Sequence, residues 1–265
     1  MQFFKMQNCG NDYIFIFERI TSSQIVKLCD RNFGIGGDGV VYLYKKGGRY
    51  GFEIYNKDGS RASFCGSVAL CLGLYVYRQE GLKSFKIITD SGIKKVEIVG
   101  SGKNVKVCVE VGKPHFSVKN SADKPPFNKL LFLKSEGKIL KVRASYVNVG
   151  NDHLVIRGLY NEQKRARILK GINNSNLFPS GVNVEFTARK ISGARVIVYE
   201  RGSGKTLCCS SGGCAVFAVL YKLGHFEKSE KLYFDGGVLQ VESKNKSICV
   251  YSYPKFLYYG NWCEI

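Results

Sequence analysis

No run of apolar residues in this sequence approaches the ~20 needed to cross a bilayer. The opening segment, MQFFKMQNCGNDYIFIF, is broken by Lys5, Asn8, Asn11 and Asp12, so it offers neither the apolar stretch nor the cleavage site of a secretory signal. The expected compartment is the cytoplasm, where thiols stay reduced. The ten cysteines are accordingly read as free, since a disulfide framework belongs with shorter secreted chains. Histidine is scarce, with only His115, His153 and His225, and no cysteine pair has C-x-x-C spacing. These two absences argue against a structural zinc site and against thioredoxin-like redox chemistry.

Acidic residues are also few. There are 21 Asp and Glu against 40 Lys and Arg, a formal net charge of +19. Such an excess raises nucleic acid as a partner. The basic residues are scattered, however, as at Lys45-Lys46, Lys94-Lys95 and Lys164-Arg165-Arg167, and build no long block. No zinc-finger spacing, RNP-type motif or heptad array accompanies them. The charge is therefore assigned to solvated faces, and neither a nucleic-acid partner nor a membrane is expected. Proline is sparse too. Three of the five, Pro114, Pro125 and Pro126, gather in the polar stretch VGKPHFSVKNSADKPPF, the expected joint between domains.

What the chain does contain is a repeat of itself. FEIYNKDGSRASFCGSVALCLGLYVYRQEG, from Phe52, aligns with RVIVYERGSGKTLCCSSGGCAVFAVLYKLG, from Arg195. Ile54-Tyr55-Asn56 meets Val198-Tyr199-Glu200, Cys65 meets Cys209, Ser67 meets Ser211 and Tyr77 meets Tyr221. Near the start of each half stands the same triplet, Gly10-Asn11-Asp12 and Gly150-Asn151-Asp152. Each unit reads as strands rich in β-branched and aromatic residues, a Gly/Ser turn, a cysteine, and an apolar stretch of about three helical turns. That stretch is apolar on every side, so its helix must be buried all round. Gly81 and Gly224 follow where a left-handed C-terminal cap belongs. The expected fold is α+β: two pseudo-symmetric domains, each a curved, mostly antiparallel sheet or barrel around a central buried helix. The halves are expected at 1–114, completed by a C-terminal strand at 254–265, and at 115–253.

Cys65 and Cys209 then fall at the start of a buried helix, where free N–H groups and the positive helix end lie. That position is expected to lower a thiol's pKa, and the same N–H groups suit a carboxylate. Two domains facing each other would bring two thiols to opposite sides of one small acid. One thiolate would remove an α-proton while the other thiol delivers one to the opposite face, without a cofactor. Cys29, Cys71, Cys108, Cys214 and Cys249 read as small buried apolar residues, and Cys208 as a packing neighbour.

With those residues in hand, the chain resembles the diaminopimelate epimerase family nearly end to end. The resemblance is carried by KMQNCGNDYIFI, RNFGIGGDGV, YNKDGSRASFCGSVALC, VNVGNDHLVI, VNVEF and ERGSGKTLCCSSGGCA. It implies a cofactor-independent isomerase that interconverts LL- and meso-diaminopimelate, in lysine and peptidoglycan-precursor biosynthesis. It implies Cys65 and Cys209 as the acid–base pair, assisted by His153 and Glu200. Asn11, Asn56, Asn151, Asn183 and Arg201 would bind the distal amino-acid head of the substrate, and Gly66, Ser67, Ser210 and Ser211 the reacting carboxylate. A homodimer is the expected assembly, and no metal is expected. Taken singly, such asparagines, arginines and glutamates are usually solvated; their places inside matching blocks mark them. The sequence also departs from the family pattern. Ser67, Val68 and Leu70 replace Asn, Gly and Arg; Cys208, Ser210 and Ser211 are altered; Asp152 replaces a proline. These changes leave two rivals in view, a racemase of another amino acid such as histidine, and a non-catalytic basic binding module on the same fold.

Overall fold

The computed structural model describes residues 1–102, 105–117 and 125–263. The chain folds as two compact units, Met1–Val111 with Cys249–Ile265, and Gly112–Ile248. Residues 118–124 of the proline-containing stretch lie outside the described residues. Among the described residues no helix is long and apolar enough to cross a membrane.

In the first unit β1 (Gln2–Asn8) and β2 (Asn11–Ile16) form a hairpin. Its two loop residues, Cys9 and Gly10, both have positive φ, the geometry that matches strand twist in a two-residue turn. Helix α1 (Ser22–Cys29) starts at a capping box between Thr21 and Gln24 and leads to β3 (Gly39–Lys46), which pairs parallel with β2. Strand β4 (Arg49–Asn56) returns antiparallel and carries the short β5 (Arg61–Ala62). Helix α2 (Gly66–Glu80) then crosses to β6 (Ser84–Thr89), parallel to β4, followed by antiparallel β7 (Gly92–Val99) and β8 (Lys106–Gly112).

The second unit repeats this order. A meander of β9 (Lys129–Ser135), β10 (Lys138–Asn148) and β11 (Asp152–Arg157) leads through α3 (Glu162–Asn173) to β12 (Asn183–Arg189), parallel to β11. Antiparallel β13 (Ala194–Glu200) and short β14 (Gly204–Thr206) precede α4 (Ser210–Lys222). Then come β15 (Ser229–Tyr233), parallel to β13, and its antiparallel partner β16 (Val238–Lys244); β17 (Ser247–Ser252) follows and crosses at Cys249 into the first unit. The last strand, β18 (Lys255–Asn261), returns to the first unit and pairs with β1, supplying there the neighbour that β9 supplies to β10.

The sequence reading contains neither α1 nor α3. Each buries only three or four residues, Ile25, Leu28 and Cys29 in one and Arg165, Ile168, Gly171 and Ile172 in the other, too few for a clear apolar period. They make β2–β3 and β11–β12 parallel, because parallel neighbours need a crossover.

The two central helices carry the core. Helix α2 is buried from Gly66 through Leu74 and at Val76, and α4 from Ser210 through Leu220. The first packs on β1, β7 and β18, the second on β10 to β13 and β16. Their ends are set by glycine: Gly81 has φ 70° and donates to the Tyr77 carbonyl. Gly224 has φ 72° and donates to Tyr221 O while His225 N donates to Leu220 O, the paired bonds of a Schellman cap. Gly73 lets α2 approach the sheet: a Cβ there would lie 2.5 Å from Val107 Cγ1 and 2.9 Å from Val96 Cγ1. Gly73→Ala is therefore expected to cost about 1–3 kcal/mol through overpacking. Scanning calorimetry should show a Tm lower by roughly 5 °C; an unchanged Tm would mean that β7 and β8 give way freely.

Candidate active site

Strand register gathers the candidate side chains at one rim of each unit. In the first unit Tyr13 lies opposite Gly39, and Gly39 opposite Asn56, so the starts of β2 and β3 and the end of β4 share one rim. In the second unit His153 lies opposite Asn183, and Val184 opposite Tyr199, which brings Glu200 at the end of β13 to the same rim. Tyr13 and His153 are thus equivalent, as are Asn56 and Glu200. The chain leaves each rim through a short strand and reaches a cysteine. Cys65 (φ −139°, ψ 119°) and Cys209 (φ −138°, ψ 116°) are the N-cap residues of α2 and α4 with nearly the same backbone.

Cys65 has a phenol for a neighbour. Its half-buried Sγ lies 3.3 Å from Tyr13 Oη. Gly66 and Ser67 follow as the first residues of α2, at its positive end. Asn8 Nδ2 donates to Ser67 Oγ over 3.5 Å. Asn11 is buried at the start of β2, and Asn56 Nδ2 donates to Ser60 Oγ over 3.0 Å in the turn after β4. Val68 and Leu70, two of the departures from the family pattern, are wholly buried in the core.

Around Cys209 the groups are titratable. Its buried Sγ accepts the Gly212 N–H at 3.3 Å, so the sulfur itself caps α4, and it lies 3.3 Å from Ser211 Oγ. The Glu200 carboxyl accepts from Thr206 Oγ1 at 2.6 Å, and its charge bears on the same sulfur. His153 is wholly buried, with Nδ1 2.7 Å from Glu185 Oε1 and Nε2 2.8 Å from Asn151 Oδ1. Glu185 is equally buried, its Oε2 has no hydrogen-bond partner, and it lies against the first turn of α4. A Cβ on Gly212 would stand 2.7 Å from Glu185 Oε1, so a side chain there would displace the carboxylate from its present place. Asn183 splints the rim: Nδ2 donates to Asp152 O at 2.9 Å, and Oδ1 accepts the Arg201 N–H at 3.0 Å. Arg201 is exposed, with Nη1 donating to Ser180 O. Asp152, in place of the family's proline, accepts from Tyr146 Oη and Asn148 Nδ2 and so ties β11 to β10.

The lowering expected for a thiol at a helix start does not hold for Cys209. Burial pushes this thiol well above its ordinary value, and the carboxyls of Glu200 and Glu185 push it the same way. The bonds from Ser211 and Gly212 oppose this and are outweighed. At neutral pH Cys209 is a protonated thiol. Burial likewise raises Glu200, against the lowering pull of Thr206, Cys209 and His153.

The structure therefore gathers Asn151, His153, Glu200, Cys209 and Ser211 in one cluster, with Asn183 linked to Arg201. Two residues outside the sequence reading also stand at these sites, Glu185 in the second unit and Tyr13 beside Cys65 in the first. Glu185 is the one charged residue in the apolar core of its strand, VEF, which is a legible signal. Tyr13 follows the repeated Gly-Asn-Asp triplet at the place where the second copy has His153.

By fold, the chain is similar to solved epimerases and racemases. It resembles a hydroxyproline epimerase from Agrobacterium vitis with a TM-score of 0.68 and 14% identity, covering 98% of this chain and 90% of that one. It resembles a probable proline racemase from Agrobacterium radiobacter K84 with a TM-score of 0.73 and 12% identity, covering 99% and 92%. Sequence narrows the class. The diaminopimelate epimerase profile matches residues 3–117 and 144–252. The diaminopimelate epimerase of Leptospira biflexa is 33% identical over 98% of both chains, and that of Methanocaldococcus jannaschii 32% over 94% of both. A chloroplastic diaminopimelate epimerase of Oryza sativa subsp. japonica is 32% identical over 95% of this chain and 76% of its own length. The chain belongs to the diaminopimelate epimerase family.

The buried thiols set an alkaline limit. Folding raises Cys71 and Cys209 well above 9.0, and Cys29 to about 12, each mainly through burial. Above pH 9 the unfolded chain ionises these thiols and the folded chain does not. Their contribution is thus complete below pH 9 and is lost as pH rises toward the folded values, at about 1.4 kcal/mol per pH unit for each. The urea midpoint is expected to fall between pH 9 and 11, and more gently in Cys71→Ala; parallel slopes for the two proteins would contradict this.

Proposed function

We propose that this protein interconverts LL- and meso-diaminopimelate by proton transfer between two sulfurs and the substrate α-carbon, serving lysine and peptidoglycan-precursor synthesis. The observation that carries this reading is the duplicated N-cap cysteine: same backbone, same place in the repeat, each at the start of an enclosed helix. One thiolate takes the α-proton and becomes a thiol, the bonding pair stays on carbon, and the other thiol gives its proton to the opposite face. Atoms and charge balance, and the two sulfurs exchange protonation states.

The difficulty is charge accumulating on an α-carbon of low acidity. The first N–H groups of α2 and α4, from Gly66, Ser67, Ser210 and Ser211, hold the reacting carboxylate and stabilise that charge. Cys209 begins as the thiol, because burial and Glu200 oppose its ionisation, and Cys65 is then the base. His153 and Glu200 adjust the Cys209 side. Asn11, Asn56, Asn151, Asn183 and Arg201 bind the unreactive amino-acid head: amide oxygens accept from its ammonium, and the exposed guanidinium of Arg201 offers a fork to its carboxylate.

The test is incubation of reduced protein with LL-diaminopimelate in deuterated water. Meso product with deuterium at one α-carbon is expected, and Cys65→Ala or Cys209→Ala should each lower the rate by 10² or more. Exchange into another amino acid with none into diaminopimelate, or wild-type rates in both variants, would refute the reading.

A further inference from the structure

We propose that Tyr13 is the hydroxyl partner of Cys65, donating a hydrogen bond to its thiolate and accepting one from its thiol. The inference deepens the acid–base role given to Cys65 above and rests on it. Three observations carry it. The Oη–Sγ distance is 3.3 Å, and geometry permits either atom to donate. A base that must become an acid in the reverse reaction needs a partner suited to both states, and a hydroxyl is both donor and acceptor. Across the repeat, Cys209 has a hydroxyl at the same 3.3 Å, from Ser211.

The phenol is also held in place. Tyr13 is buried, and β2 is paired on both flanks, with Tyr13 opposite Met6 and Gly39. Its ring lies over Gly39, where a Cβ would stand 3.6 Å from ring Cδ1 and 2.4 Å from the Tyr55 carbonyl oxygen. A ring so confined directs its hydroxyl at the sulfur without a search among rotamers. Titratable neighbours of Cys65 include this phenol from β2 and, along its own helix, Cys71, whose ionisation Cys65 and Cys9 both oppose. Cys9, from the β1–β2 turn, has its own hydroxyl neighbour in Ser252 at 3.7 Å.

Tyr13→Phe removes one oxygen and keeps the ring. In the full-length reduced protein, alkylation of Cys65 by iodoacetamide is followed against pH by mass spectrometry of its peptide. The midpoint is expected to rise by about one pH unit, which slows alkylation at neutral pH by about 10-fold. The acid limb of kcat/KM should move with it, and kcat should fall while KM stays within about twofold. Profiles that superpose on the wild type, or a midpoint that falls, would overturn the proposal. Should Tyr13→Phe not fold, 3,5-difluorotyrosine placed at position 13 keeps the ring and makes the hydroxyl a stronger donor; the midpoint should then drop, and an unmoved midpoint overturns the assignment. An alkylation shift in a protein that turns over no diaminopimelate would sustain the role of Tyr13 and remove the activity proposed above.

Discussion

Everything at the site depends on a cysteine standing at the open end of a helix that is enclosed on all sides. A helix start leaves N–H groups without carbonyl partners, and enclosure removes the water that would otherwise satisfy them. The dihedrals of Cys65 and Cys209 differ by only a few degrees, so two separate stretches of chain solve this constraint in the same way. Helices apolar on every face, glycine at their far ends, and Gly73 where α2 meets the sheet are the conditions for such an end to exist.

On this common scaffold the two halves differ in electrostatics. The rim of the first carries Tyr13 and Asn56, and the rim of the second His153 and Glu200. Strand register extends the contrast one layer inward: Phe15 lies opposite Val41, whereas Val155 lies opposite Glu185. The two copies thus share a backbone at these positions, while the equivalent side chains differ: Tyr13 against His153, Asn56 against Glu200 and Val41 against Glu185. Two-sulfur chemistry needs its sulfurs in opposite protonation states at any instant, and unequal surroundings supply a resting preference.

Much of the architecture was legible in the sequence because it is written locally. An apolar stretch with no polar face, a cysteine before it and a glycine after it identify α2 and α4 without tertiary information. The repeat identifies the cysteines as paired, and the family motifs identify the rim residues. The helices α1 and α3 escaped because their buried stripes are only about one turn long. The state of Cys209 escaped for a different reason. A helix start lowers a thiol's pKa in isolation, but here Glu185 and Glu200 come from two other strands, and burial is a property of the folded chain rather than of the local sequence. Tyr13 reaches Cys65 only because β2 and β3 run parallel, which α1 decides.

The closing strand β18 has a consequence for how the molecule is made. It supplies β1 with one of its two neighbours, and the amino group of Met1 donates to the Trp262 carbonyl. The first unit is therefore finished by a strand that follows the whole second unit in the chain. The segment of the second unit is translated before the first unit can close, so the order of completion on the ribosome runs against the order of translation. Until β18 is made, the flank of β1 away from β2 is an open edge, a surface available to stray strands.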